Sequence, residues 1–297
     1  MKTKTIKKEL SKIRGRWLAT IKDKDLKELI RKDMIVTGGS IASMLLGEEV
    51  NDYDIYFSTA KAVNEVAKYY LAAIKKISKV NETSRIHYFK GQDQVACTEE
   101  EFVKSKTGRL KIFVSSSGYI KVNATKLKFF EPIFASSNAI MLKGKLQLVL
   151  RFWGPPEKIH ENYDFVHCLS YWHKNELIIP QETAVALLTR ELIYQGSKYP
   201  LTSIIRTRKF IRKGWKITAG EFLKMAVQLQ EIDLFNPAVL EDQLMGVDVS
   251  YFETFIYRMK KAMKEPGFKI DSSYLIELVD EIFNGDHEMI EGEQEDE

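Results

Sequence analysis

The amino-acid sequence predicts an α+β head followed by an all-α body, and three observations carry that expectation. Short strand-like apolar runs alternate with amphipathic stretches over the first 175 residues; beyond about residue 181 only helical periodicity remains; and Pro200, Pro237 and Pro266 fall between the later helical stretches. The expected division is a mixed-sheet head over 1–175, a helical body over 176–285 and a disordered acidic tail over 286–297. Within the head, DLKELIRKD (25–33) reads as a short helix and MIVT (34–37) as a buried strand. A glycine pair, a helix over SIASMLLG (40–47) and a strand over DYDIYF (52–57) follow. KAVNEVAKYYLAAIKKI (61–77) has the apolar spacing of an amphipathic helix. The span 78–135 holds strand-like runs, RIHYF (85–89) and RLKIFVSS (109–116), and is expected to be an insertion. Residues 139–152 read as a hairpin turning at Lys143-Gly144, and YDFVHCLSYW (163–172) as a further strand. In the body, residues 182–194, 202–213, 219–232, 250–264 and 272–283 all show helical periodicity.

Composition narrows the class. At 297 residues, 44% hydrophobic and 29% charged, the chain reads as a globular protein with a sizeable core. No apolar stretch approaches the roughly 20 residues that span a bilayer, so no membrane partner is expected. The N-terminus MKTKTIKKELSKIRGRW is basic but lacks the apolar centre of a secretory signal. Cys97 and Cys168 are too few for a disulfide framework, and the expected compartment is the cytoplasm. The net charge of +4 hides an asymmetry, because the tail carries seven acids and no Lys or Arg. Residues 1–285 hold 45 basic and 34 acidic side chains, a balance of +11 that suits a polyanionic partner such as RNA or a nucleotide.

The stretch IVTGGSIASMLLGEEVNDYDIYF (35–57) carries the chemistry. Gly38 and Gly39 close a strand and open a helix, and without Cβ atoms they let the backbone approach a phosphate. The amides of Ser40 and Ile41 then point at that phosphate from a helix N-terminus, and Ser40 adds a hydroxyl. Asp52 and Asp54, at i and i+2 on the next strand, project from one face while Tyr53 turns to the core. Two adjacent carboxylates repel each other unless a cation joins them, and magnesium, shared with substrate phosphate oxygens, suits such a pair. Two ions would serve an attacking hydroxyl and a departing pyrophosphate.

This segment resembles the signature of the DNA-polymerase-beta-like nucleotidyltransferases. It is most similar to the head of bacterial-type class II CCA-adding enzymes and poly(A) polymerases, whose pattern falls on Gly38, Gly39, Leu45, Leu46, Gly47, Asp52 and Asp54 without a gap. Tyr163-Asp164-Phe165-Val166, with Cys168 and Tyr171, resembles that family's Arg-Asp-Phe-Thr motif and its continuation. PLTSIIRTRKFIRKGW (200–215) resembles its arginine-rich helix, with Arg206 keeping an arginine and Lys209 replacing one. The chain also resembles uncharacterised nucleotidyltransferases of large tailed bacteriophages, which would place it in the host cytoplasm. The resemblance implies a nucleotidyltransferase-fold head, magnesium as cofactor, an NTP as donor and an RNA 3′ end, tRNA among the candidates, as acceptor. Departures are equally visible. Ala42-Ser43 stand where the family has Arg-Asp, Tyr163 replaces an arginine, and Glu241-Asp242 lacks the base-reading arginine. On the hairpin strand before Arg151 the family's acid is missing, and Gln147 is the nearest polar residue.

Several residues keep more than one reading. Asp164 is a third metal carboxylate, a holder of the nucleotide sugar, or an acid packed at a strand edge. Arg151 is a nucleotide contact or half of a surface salt bridge. Arg206, Lys209 and Lys213 share one helix face and would clamp a triphosphate or remain a solvated stripe. His160 and His167 flank Asp164 without the spacing of a zinc site. The acceptor could instead be a protein side chain or small molecule, or the chain could be a non-catalytic nucleotide- or RNA-binding module. Oligomeric state is not legible.

Overall fold

A computed structural model describes residues 1–78, 84–91, 95–113, 119–244, 257–259, 261–265 and 267–283. The tail expected over 286–297, and residues 250–256 and 260 of the helix expected over 250–264, lie outside the described residues. The chain opens on α1 (Thr3–Thr20), α2 (Lys24–Asp33), β1 (Met34–Thr37), α3 (Gly39–Leu46), β2 (Tyr53–Phe57) and α4 (Ala60–Ser78). Next come β3 (Arg85–Lys90), β4 (Val95–Cys97), α5 (Glu99–Lys104), β5 (Gly108–Phe113), β6 (Tyr119–Lys121) and β7 (Pro132–Ser136). The hairpin β8 (Ala139–Leu142) and β9 (Leu146–Trp153) leads to α6 (Pro156–His160), β10 (Tyr171–His173) and β11 (Glu176–Ile178). Helices α7 (Gln181–Thr189), α8 (Pro200–Ile211), α9 (Ala219–Leu229), α10 (Pro237–Leu244) and α11 (Ser272–Phe283) follow. A mixed-sheet head followed by a helical body is therefore what the chain forms.

The chain divides into two compact units: Met1–Glu161 with His167–Leu187, and Asn162–Val166 with Leu188–Glu297. The cut expected at 175/176 falls inside the first unit, because β11 pairs with β10 and keeps the chain on the sheet. That sheet has eight strands in the order β11-β10-β1-β2-β9-β8-β7-β6, and β2 and β9 run parallel while the other neighbours run antiparallel. The span 78–135 is thus not a separate insertion throughout. Its β6 and β7 complete the main sheet, and β4-β3-β5 forms a second, three-stranded one.

Alternation assigns the two faces of the main sheet. Met34 and Val36, Ile55 and Phe57, and Leu146, Leu148 and Leu150 join one apolar core with Ile6, Leu10 and Trp17 of α1, Ile41 and Met44 of α3, and Val63, Val66 and Tyr70 of α4. The Trp17 indole N–H donates to the Tyr70 hydroxyl at 2.6 Å, giving a buried polar atom its partner. The intervening positions, Thr37, Asp54 and Gln147, belong to the opposite face. Asp23 caps α2 by accepting from the Asp25 and Leu26 amides, and Gly47, at φ +78, closes α3.

In the second unit, Leu240, Leu244, Met259, Ile270 and Leu278 form a separate core. Three sequence expectations change here. Residues 163–172 form no continuous strand: Phe165 makes only an isolated antiparallel bridge to Tyr194, and a 3-10 turn at Val166–Cys168 precedes β10. The helix expected over 182–194 stops at Thr189, where Arg190 adopts φ +52 and ends the helical backbone. Residues Pro237–Leu244 form α10, a helix that the periodicity did not point to, and Pro237 opens it, its fixed φ suiting a first helical position.

Candidate active site

Thr37, the last residue of β1, lies directly opposite Asp54, and Asp54 lies opposite Gln147 of β9. Directly opposed residues in antiparallel strands have Cα atoms about 4.5–5.5 Å apart, so the turn after Thr37 starts one residue from the carboxylate's cross-strand neighbour. Gly38 there has φ +91 and ψ −158, a conformation that essentially only glycine adopts, and its N–H donates to the Cys168 carbonyl at 3.2 Å. Helix α3 begins at the next residue with no side-chain cap. A Cβ added to Gly39 would meet no atom within 4 Å, so open space lies before the helix start. Ser40 is 4% exposed, and its hydroxyl is buried without a hydrogen-bond partner. A buried orphan hydroxyl at an uncapped helix start is a donor set suited to an anion. The Ile41 amide, expected to join that set, instead donates to the Gly38 carbonyl at 3.3 Å.

Asp52 immediately precedes β2 and is exposed, whereas Asp54 within the strand is half-buried. The loop before them is tethered to the β8–β9 hairpin turn. Lys145 donates to the Glu49 carboxylate and the Val50 carbonyl, both at 2.8 Å, and the Tyr53 amide donates to the Lys145 carbonyl at 2.7 Å. The hydrogen bond from Lys145 holds the Glu49 carboxyl below its ordinary range.

On the far side of Thr37 is His160. The Thr37 hydroxyl donates to the Ser170 carbonyl at 2.9 Å, so at 2.8 Å it accepts from Nε2–H of His160. Burial pushes the His160 imidazole down to about 4, opposed weakly by Glu157, so it is neutral at physiological pH. The sign of the linkage follows. Its folded value lies below the unfolded one of about 6.5, so its contribution is complete above that pH and disappears as pH falls through about 4. Between pH 7 and 4, urea denaturation should show the wild type losing about 2 kcal/mol more than His160→Gln, a figure reduced for partial exposure. Equal losses in the two proteins would contradict this assignment.

The remaining expected residues divide between the units. Arg151 lies in the first, on β9 four residues beyond Gln147, away from Asp54 in register. It is 8% exposed, and its guanidinium sits 5.5 Å from the Phe152 ring centre. Asp164, Arg206 and Lys209 lie in the second unit. Asp164 is buried off any strand, its carbonyl accepts from the Gln195 amide at 3.0 Å, and its carboxylate accepts from Arg206 Nη1 at 3.1 Å. Lys209 is exposed one turn further along α8, and Lys213 falls past its last residue, Ile211. Sequence reasoning missed Thr37 and His160. They touch across 123 positions of sequence, so although Thr37 lies within the 35–57 stretch, nothing local pairs it with His160.

Asp52 and Asp54 carry the hard carboxylate oxygens that suit magnesium, and Gln147 is the cross-strand neighbour of Asp54. Among the described residues no group of three or more His, Cys, Asp or Glu side chains could hold a metal ion. Among the described residues no helix is long and apolar enough to cross a membrane.

The Gabija anti-defense 2 family model matches residues 8–190. A relative from Bacillus phage SPbetaL7, Gabija anti-defense 2, is 22% identical over 268 residues, covering 86% of this chain and 54% of that protein. The chain thus spans about half the length of the curated relative it matches. Solved structures similar to it include a Thermotoga maritima CCA-adding enzyme complexed with tRNA, at TM-score 0.38 and 14% identity, covering 90% of this chain and 68% of that one. A Bacillus stearothermophilus CCA-adding enzyme in complex with CTP overlaps at TM-score 0.34 and 14% identity, over 75% and 47% of the two chains. With its family model matched from the N-terminal helix to the start of the helical unit, the chain belongs to the Gabija anti-defense 2 family.

Proposed function

We propose that the chain is a metal-dependent nucleotidyltransferase that moves a nucleoside monophosphate from an NTP to the 3′ hydroxyl of an RNA. The observation that carries this reading is the adjacency of Asp54 to the strand end from which Gly38, Gly39 and the buried, unpartnered Ser40 hydroxyl emerge. Carboxylates for a cation and donors for a phosphate then stand on neighbouring strands, which is what phosphoryl transfer demands of a protein. In the balanced step, the acceptor hydroxyl oxygen bonds to the α-phosphorus, the bond from that phosphorus to the β-phosphate bridging oxygen breaks, and pyrophosphate departs. The hydroxyl proton passes to solvent.

Asp52 and Asp54 would hold magnesium, which when bound neutralises charge on the attacking and departing oxygens. Ser40 and the first turn of α3 would orient the triphosphate, and the Thr37–His160 contact would fix the end of β1 on which that turn is built. In the second unit, Arg206 and Lys209 would bind phosphate oxygens, and Asp164 would position Arg206 or the nucleotide sugar. The family name favours a second acceptor class, because a counter-defence role suits modification of a protein component of the Gabija system.

Incubation with α-labelled NTPs, magnesium and extract of Gabija-bearing cells separates these acceptors. The expected result is label in material that ribonuclease destroys and protease spares. Label lost to protease alone would move the acceptor to protein while keeping the chemistry. No metal-dependent label in any fraction would overturn the reading.

A further inference from the structure

Positive charge is not spread over this chain. Residues 1–24 hold nine Lys or Arg and two acids, a balance of +7, whereas the other 273 residues hold 36 and 39, a balance of −3. Six of the nine lie on α1, in an ordered way. Lys4, Lys8, Lys12 and Arg16 recur every fourth residue and are all exposed. Residues four apart lie along one stripe of a helix. The opposite side is fixed by Ile6, Leu10, Trp17 and Leu18, all buried in the core of the first unit. Lys7 and Arg14 leave the stripe for other work: Lys7 pairs with Glu176 at 2.8 Å, and Arg14 donates to Asn175 at 2.7 Å while lying 4.7 Å from the Trp172 ring centre. Among the described residues the stripe meets only weak neighbours, Glu9 at 4.0 Å from Lys12 and the Phe129 ring 5.6 Å from Arg16.

We propose that this face of α1 is a nucleic-acid backbone site, at which Lys4, Lys8, Lys12 and Arg16 contact successive phosphates. The inference deepens the reading of an RNA acceptor and, in that respect, rests on it. At about 1.5 Å per residue the stripe is about 18 Å long. One strand of a duplex carries a charge about every 3.4 Å, so the stripe faces about five phosphates with four cations. A lipid surface is a poorer match. Membrane-surface helices bury an apolar face in the bilayer, and the apolar face of α1 is already used by the protein's own core.

The test uses the full chain without NTP or metal, so its outcome does not depend on catalysis. Fluorescence anisotropy with 12-nucleotide single-stranded RNA and DNA is followed across a salt series, beside the variant Lys4→Gln/Lys8→Gln/Lys12→Gln/Arg16→Gln. Glutamine keeps helix propensity, and like charges four apart repel, so the variant should melt at or above the wild-type temperature. Each phosphate contact contributes about −0.7 to the log–log salt slope. The variant should therefore lose about 3 of that slope and bind at least about tenfold more weakly at low salt. Arginine in place of the three lysines should retain wild-type slope and affinity. Similar binding of RNA and DNA would identify the shared phosphodiester chain as the ligand, and preference for RNA would add its 2′ hydroxyls. An unchanged slope in the glutamine variant, or binding to phosphatidylserine vesicles but not to either oligonucleotide, would overturn the proposal. Loss of NTP transfer with intact oligonucleotide binding would remove the enzymatic reading and leave the site standing.

Discussion

Asp52→Asn and Asp54→Asn should each lower nucleotidyl transfer by at least about a thousandfold, about 4 kcal/mol of transition-state stabilisation. The size of the effect follows from how little else is available. The cross-strand neighbour of Asp54 on β9 is the neutral Gln147, and no group of three or more acidic, His or Cys side chains gathers among the described residues. Neither aspartate therefore has a third carboxylate to stand in for it. Asparagine preserves volume and relieves repulsion between adjacent acids, so both variants should melt within a few degrees of the wild type. Steady-state release of pyrophosphate, with circular dichroism as the folding control, is the measurement. Activity of either variant within tenfold of the wild type would falsify the assignment of the metal pair.

Much of the first unit's centre was legible because the relevant physics is local. Met34 to Thr37 is an apolar run that reads as a buried strand, and the period of two along Tyr53 to Phe57 puts Asp54 on the face opposite Tyr53 and Ile55. The glycines after β1 announce a backbone that a Cβ forbids, and Gly38 does adopt positive φ. Other features depend on contacts that no local pattern encodes. His160 reaches Thr37 across the sheet, and its spacing from Asp164 suggested only a question about zinc. Helix α1 was not expected from the basic N-terminus, although Ile6, Leu10 and Trp17 fall at helical spacing. Residues 163–166 read as strand because Tyr, Phe and Val favour it. Asp164 leaves the ladder because its carboxylate meets Arg206 and its carbonyl meets the Gln195 amide, both in the helical unit. Tertiary pairing overrode propensity there.

Arg206→Ala should weaken NTP binding by about ten- to a hundredfold, at roughly 1.5–3 kcal/mol per charged hydrogen bond lost. Lys209→Ala, which removes an exposed point charge, should cost less. The difficulty in reading Arg206 is that it also has a structural partner. Asp164 is buried, with a side chain 8% exposed against 44% for Arg206, and removal of the guanidinium strands its carboxylate. That alone should destabilise the second unit by roughly 1–3 kcal/mol, and a loosened unit could bind nucleotide poorly for trivial reasons. The double variant Asp164→Asn/Arg206→Ala separates the two effects, because a neutral amide at 164 no longer leaves a charge uncompensated. Its melting temperature should return most of the way to that of the wild type. If Arg206 binds phosphate, the affinity for NTP, measured by titration calorimetry, should stay low despite the recovered fold. Affinity that recovers together with the melting temperature would show that Arg206 serves only to pair with Asp164, and would leave phosphate binding to Ser40 and the start of α3.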